Sequence, residues 1–343
     1  MTRLLPWLVL LAMIALPAAP PLSAQPTAPA LLVLHKDRAD GTHRLFNLID
    51  NLPLGTPLVD CCNTIAGTLT FDPALREILL LQHTGSGDEV VRINAGTGAV
   101  TGRATVTGDW RILAAAYDRT RATLFAIGRN SAGDRHLLTV APMSGAVVSV
   151  GAALPAGFAL VPGGHGLHPR RGHWHLLGSH DTASGPQHVL TLALGSGAQL
   201  SDTAVVGHVL SNLHFDEGSG RLLGHGRIDG QSQTQLLWLE PGSGHVTVLE
   251  TSGVDNCCQW SVGSLAAIAS QGIAVSHYLT PEQLPDFLIW ETGTGGVLGE
   301  IPHAQSWAIH GVVTDQTVFI GDYLFYDGFQ TVGKPASGLL PFQ

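Results

Sequence analysis

Short apolar runs alternate with small polar turns along this chain, and the alternation repeats. VVRINAGTGAV from Val90, LLTVAPMSGAV from Leu137, VLTLALGSGAQ from Val189, LLWLEPGSGHV from Leu236 and FLIWETGTGGV from Phe287 share one layout. Each is a strand, a turn ending in Ser/Thr-Gly, and a second strand. Their final glycines, Gly98, Gly145, Gly197, Gly244 and Gly295, recur at intervals of about 50 residues, which marks a repeat architecture. Glycine suits these turns because tight hairpins need positive φ, which costs glycine nothing sterically. A looser copy, RLFNLIDNLPLGTPLV, begins at Arg44.

Two more strand-like runs precede each hairpin. The first ends in an apolar or aromatic residue and an aspartate: LTFDP at Asp72, AAAYD at Asp118, NLHFD at Asp216 and GVVTD at Asp315, with His168 in that slot in HGLHP. The second run follows as EILLLQH, ATLFAIGRN, HWHLLGSH, GRLLGHG or GIAVSHY. One unit is thus four strands, A to D, which predicts an all-β protein of the β-propeller class. A sandwich or a β-helix would give a less regular or a much shorter repeat. Complete units span roughly 64–102, 110–149, 160–202, 208–250 and 261–300. Residues 31–60 supply runs B to D, and residues 307–326 supply an A run followed by TVFIGDY. The predicted ring therefore has six blades, closed by N- and C-terminal strands sharing one blade, which leaves no open sheet edge. Counting the surplus C-terminal strand separately gives a seven-bladed alternative.

The segments LFNLIDNLPLGTPLV, VVRINAGTGAV and LLWLEPGSGHV resemble the YVTN-type repeat of exported bacterial propellers, the YncE-like proteins. The resemblance extends over the region after the leader. It implies a propeller fold and an exported setting, and no particular reaction.

The N-terminus agrees with export. Arg3, an apolar run from Leu4 to Leu16 and the small-residue stretch Leu22-Ser23-Ala24 have the layout of a signal peptide cleaved after Ala24. The expected organisation is residues 1–24 as signal peptide, 25–330 as propeller and 331–343 as C-terminal tail, in the periplasm or secreted. The leader's apolar core is too short to span a bilayer and no later run is long enough, so no membrane span is expected. The formal net charge of −9, without basic runs, argues against nucleic acid or an anionic membrane as partner.

The chain has only 4 cysteines, and all stand in two adjacent pairs: LVDCCNTIAG with Cys61 and Cys62, and GVDNCCQWSVG with Cys257 and Cys258. Both pairs fall in connections from strand D of one blade to strand A of the next. Strands A and C run one way and B and D the other, so these crossovers share a face with the B-to-C loops. Three states fit the sequence. Adjacent cysteines can form strained vicinal disulfides that shape a ligand site, because so small a ring gains little from loop closure. Cross-pairing, such as Cys61 with Cys258, would staple the ring shut. Reduced thiols would suit a soft metal such as copper.

The same face should carry Trp110, Trp260, Trp307 and His208 around the tunnel mouth, with Asp60, Asp109 and Asp255 just upstream. Aromatic and acidic groups around a concavity suit ligand capture; the alternative is that the tryptophans only plug the tunnel. Histidines also gather at strand-B ends: His35, His83, His180, His225 and His277. One imidazole from each of several blades could hold a divalent metal (Zn, Cu, Mn or Fe), although a divergent repeat also propagates such residues by duplication. The run HGLHPRRGHWHLLGSHD holds the densest cluster, with His173 and His175 on one strand face but at the strand end opposite His180. No HExxH, CxxC or serine elbow appears.

Two functions follow as expectations, with a structural surface protein lacking a small-molecule site as a third. The first is recognition of a small molecule, peptide or protein at the crossover face, through the cysteines, Trp110, His208, Trp260 and Trp307. The second is a metal-dependent lyase or hydrolase with histidine ligands and Asp60, Asp109 or Asp255 as base.

Overall fold

The computed structural model describes residues 31–48, 52–59, 61, 63–180, 185–231, 234–249, 259–279, 285–302 and 307–314. These residues build an all-β, propeller-like fold. β1 (Leu31–Asp37), β2 (His43–Asn47) and β3 (Leu52–Leu58) form an antiparallel sheet whose inner edge is the last described strand, β25 (Trp307–Thr314). β4 (Thr70–Asp72), β5 (Glu77–Thr84), β6 (Gly87–Asn94) and β7 (Val100–Thr105) form the next. β8 (Arg111–Asp118), β9 (Thr123–Arg129), β10 (Arg135–Val140) and β11 (Val147–Ala153) follow in the same order.

Two further antiparallel meanders come next. One is β12 (Phe158–His168), β13 (His173–His180), β14 (Gln187–Ala193) and β15 (Gln199–Ala204). The other is β16 (His208–Asp216), β17 (Arg221–Ile228), β18 (Gln235–Leu239) and β19 (Val246–Val248). A single parallel pairing, Gly164 opposite Leu213, joins them into one eight-stranded sheet. The last sheet contains β20 (Gln259–Trp260), β21 (Ala266–Ile268), β22 (Ile273–Leu279), β23 (Pro285–Glu291) and β24 (Val297–Pro302). β20 and β21 both pair with β22.

The innermost strands touch in a cycle. β4 lies against β8, β8 against β12, β12 against β16, β16 against β21, β21 against β25, and β25 against β4. Closure is carried by β25, which pairs with β1 from Thr314 opposite Leu31 to Trp307 opposite Asp37. The apolar runs of the B strands are continuous because they are covered on both faces: Leu79, Leu80 and Leu81 are all buried, as are Leu124 to Ile127. Each gap between neighbouring meanders has its own core; Leu31, Val33 and Val312, for example, meet Ala266, Val275 and Phe287. The outer strands β11 and β15 are mostly exposed.

The recurring aspartate has a structural cause. Asp72 Oδ1 accepts the N–H of Ala74, Asp118 Oδ1 those of Thr120 and Arg121, and Asp216 those of Gly218 and Ser219. Each closes a tight turn after the innermost strand by supplying the acceptor that turn needs. The hairpin glycines are forced twice over. Gly145 stands at φ 70°, and a Cβ there would lie 1.8 Å from the carbonyl oxygen of Thr105 on the preceding sheet. Among the described residues no helix is long and apolar enough to cross a membrane.

Candidate functional site

The crossover end of the axis is filled by backbone. In the sheets led by β4, β12 and β21, the pairing is interrupted and the inner chain bulges inward at Gly67, Gly163 and Gly263, with φ of 75°, 70° and 70°. The three glycines touch one another: a Cβ on Gly67 would lie 2.7 Å from Gly163 Cα, one on Gly163 2.6 Å from Gly263 N, and one on Gly263 2.9 Å from Gly67 Cα. Asn212 fixes the plug. Its Oδ1 accepts the Gly263 N–H at 2.9 Å and its Nδ2 donates to the Ser261 carbonyl at 3.1 Å. His165 Nε2 donates to the Gly67 carbonyl at 2.7 Å. Below the plug a cavity of about 160 Å³ runs to the turns at the far end, past Thr70, Tyr117, His165 and His214. Arg119 and Glu217 pair across its outer mouth.

This plug changes the expected tunnel mouth. Trp110 turns into the space between the second and third sheets, against Ile65, Leu79 and Leu138, with its edge toward His136 at 5.4 Å. Trp260 lies between the last two meanders, stacked on His225 at 4.1 Å. His208 donates from Nδ1 to the Val206 carbonyl at 3.1 Å, and Asp109 is exposed. These groups do not ring an opening, because the opening is occupied by the bulged glycines. Trp307 opens β25. Asp60, Cys62, Asp255, Cys257 and Cys258 lie outside the described residues.

The five strand-end histidines have five separate surroundings. His35 is buried and stacked on Phe46 at 4.2 Å. His83 donates from Nδ1 to buried Asp88 at 2.6 Å. His180 contacts Asp202. His225 is fully buried, and burial pushes its pKa down to about 3. His277 is buried with Nδ1 2.6 Å from Ser261 Oγ. The expected ring of ligands is therefore not assembled. Among the described residues, the one group close enough to share an ion is His180, His188 and Asp202, whose ligand atoms all lie within 4.8 Å of one another. Asp202 accepts from His180 Nε2 at 2.8 Å and from His188 Nδ1 at 2.9 Å. Its residues come from the end of β13, the start of β14 and the middle of β15 in one meander.

A second cluster joins the first sheet's β2 and β25 on the crossover face. His43 Nε2 and His310 Nε2 are 3.2 Å apart, and His310 Nδ1 lies 2.8 Å from Thr64 Oγ1. His310 is placed by a β-bulge: Leu34 pairs with Gly311 and His35 with Ile309, so His310 is the extra residue that no partner opposes. Burial pushes the His310 pKa down to about 4, with His43 and Lys36 adding to it. Burial, and then Lys36, lower His43 as well, opposed by a hydrogen bond to the Cys61 backbone. Both imidazoles are thus neutral at neutral pH, and each can give one hydrogen bond and accept one. Cys61 itself is half-buried against the cluster of Leu32, Leu45 and Leu58. No free thiol occurs among the described residues. Nothing in the repeat pattern singles out His43, His188 or Asp202; for His310 the one sequence signal is a histidine inside an A run, in WAIHGVVTD.

No family model matches the chain, and no curated protein sequence matches it. Solved structures do. TolB from Acinetobacter baumannii superposes with a TM-score of 0.55 at 11% identity, over 83% of this chain and 66% of that one. A chain of a nidogen/laminin complex gives 0.52 at 15% identity, over 83% and 98%. The β-propeller domain of Cps50 (Swd1) from Myceliophteria thermophila gives 0.50 at 11%, over 81% and 88%. At such identities the fold is what is shared, and the likeness is to β-propellers at large, not to the YVTN-type repeat in particular.

Proposed function

We propose that the chain is an exported six-bladed propeller that recognises a ligand on its crossover face. Export rests on the leader at residues 1–24, with the propeller over 25–330 and a tail over 331–343. The count of six is supported by the cycle of innermost strands and by the single pairing that joins the two central meanders. One bridge is too little to merge two blades. β1 and β25 in one sheet leave the inner edge of that sheet covered. The cysteines are disulfide-bonded in this reading, as suits an oxidising compartment.

The observation that carries recognition is the convergence of His43, His310, Thr64 and the Cys61 backbone on one spot of that face. The half-buried His310 and Thr64 present polar surface without fixed charge beside the buried His43, which suits a polar group of a small molecule, peptide or protein. The test passes an exported-protein extract over immobilised full chain and over its His310→Ala form. One species held by the first and at least about ten-fold depleted on the second is expected. Equal retention on both would sink the reading.

A second reading, a metal-dependent lyase or hydrolase, is favoured by His180, His188 and Asp202. Two imidazoles and one carboxylate, partly exposed, fit Zn, Mn or Fe and leave positions free for water or substrate. Protein purified without chelator should then carry about one equivalent of metal by elemental analysis, and Asp202→Ala should carry at least about ten-fold less. Full metal content in Asp202→Ala would remove this reading.

A further inference from the structure

The arginine-flanked histidines of HGLHPRRGHWH fold onto the end of the ring opposite the crossovers. Between β12–β13 and the meander of β16 to β19 they line a groove of about 620 Å³, within the range of roughly 300–1,000 Å³ common for ligand pockets. Two fixed cations stand over it. Arg171 lies in the turn before β13, and Arg221 opens β17 with its guanidinium carbon 3.6 Å from the centre of the Trp238 ring. Their neighbours Arg119 and Arg121 are matched by Glu217 and Asp118. Among the described residues, neither Arg171 nor Arg221 has a carboxylate partner.

The remaining wall is lined by imidazoles, which are neutral until protonated. His168 stacks on Phe215 at 4.1 Å, His173 stands 6.4 Å from His168 between ring centres, and His175 Nδ1 lies 3.0 Å from Thr191 Oγ1. His245 lines the far side. Glu240 is the one carboxylate on the lining, and it sits at the rim, where its Oε2 accepts the Ser243 hydroxyl at 2.8 Å. A chain of net charge −9 has thus gathered unmatched cations and an aromatic face in one concavity. Guanidinium groups match the planar fork of carboxylate and phosphate oxygens, and the indole under Arg221 holds that guanidinium in place by a cation–π contact.

We propose that this groove binds a small oxyanion, a carboxylate or phosphate compound, with Arg171 and Arg221 as the charged clamp and Trp238 holding Arg221 in position. This site is separate from the crossover face and does not depend on the function proposed there. Burial comes first in lowering His168, His173 and His175, and Arg171 adds repulsion to each. The other charged or titratable groups near them are Arg170, Arg221 and His245, with Glu240 opposing at the rim. An anion would offset that repulsion and favour the protonated rings, so binding takes up protons and tightens as pH falls.

The test titrates the full chain with sodium phosphate and with sodium citrate, read by tryptophan fluorescence and calorimetry, with sodium chloride as the ionic-strength control. Saturable binding of at least one is expected, and for the ligand in one charge state it should be tighter near pH 6 than near pH 8. Binding of phosphate alone or of citrate alone supports the site and assigns the class. Arg171→Gln and Arg221→Gln should each weaken it by about ten-fold. Arg129→Gln, at an exposed arginine of β9, should not change it. His173→Gln, a mild change, should flatten the pH dependence and serves if an arginine variant does not fold. No saturation beyond that with chloride would overturn the proposal. So would native affinity in both arginine variants, or equal weakening in Arg129→Gln.

Discussion

Gly163→Ala is expected to destabilise the protein far more than Gly207→Ala, although both glycines stand at φ 70°. The left-handed conformation costs an alanine about 1–2 kcal/mol at either position. At Gly207 that is the whole cost, since nothing lies within 4 Å of the added methyl. At Gly163 the methyl would sit 2.6 Å from Gly263 N and 2.9 Å from Asn212 Oδ1. The first neighbour is backbone and cannot swing aside. Relief must come from separating the three bulges, which adds about 1–3 kcal/mol for overpacking and about 1 kcal/mol for each Asn212 hydrogen bond lost. The expected difference in unfolding free energy between the two variants is therefore about 3 kcal/mol. Urea unfolding of both, compared at unchanged slope, measures it. Matching midpoints would mean that the axial glycines do not bear on one another.

Acid should unfold this protein more readily than its modest charge suggests. His225 and His175 are buried, and burial holds each at a pKa of about 3, against the ordinary 6.5. Their folded-state pKa lies below that of the unfolded chain, so between those values the unfolded state binds more protons. The stability they permit is fully present above the ordinary value and is lost as pH falls toward the folded one. Each then costs about 1.4 kcal/mol per pH unit below about pH 6. His225→Phe should remove one of these contributions. The new ring can keep the stack on Trp260, and it discards two ring nitrogens that have no hydrogen-bond partner. The variant should therefore be about 1–3 kcal/mol more stable at neutral pH and lose stability less steeply toward about pH 4. Urea midpoints across that range decide it. Superimposable profiles for the two proteins would show that His225 takes up its proton in the folded state.

The elements that local chemistry dictates were readable. Asp72, Asp118 and Asp216 end their strands because the following turns need an acceptor, and Gly145 is forced by its turn and by the neighbouring carbonyl. The apolar B strands and the pairing of the first and last described strands follow from the need to cover every sheet. What depended on direction across a sheet was not readable. A shift of one residue turns a strand's side chain to the other face. The strand-end histidines, with offsets that vary by a few residues, therefore go different ways: His35 and His225 into the spaces between sheets, His83 and His180 to carboxylates. With 42 glycines in the chain, nothing marked Gly67, Gly163 and Gly263 as the axial three. The meeting of His43 with His310 depends on a bulge that no local pattern announces.

That meeting also dates the site. His43 follows the first described strand and His310 lies in the last, so their contact cannot exist while the ring is open. A nascent chain lacks it until β25 has been made, and a molecule that frays at the seam between β1 and β25 loses it. A probe on these two rings would therefore act as a clock for ring closure and as an alarm of unravelling at that seam.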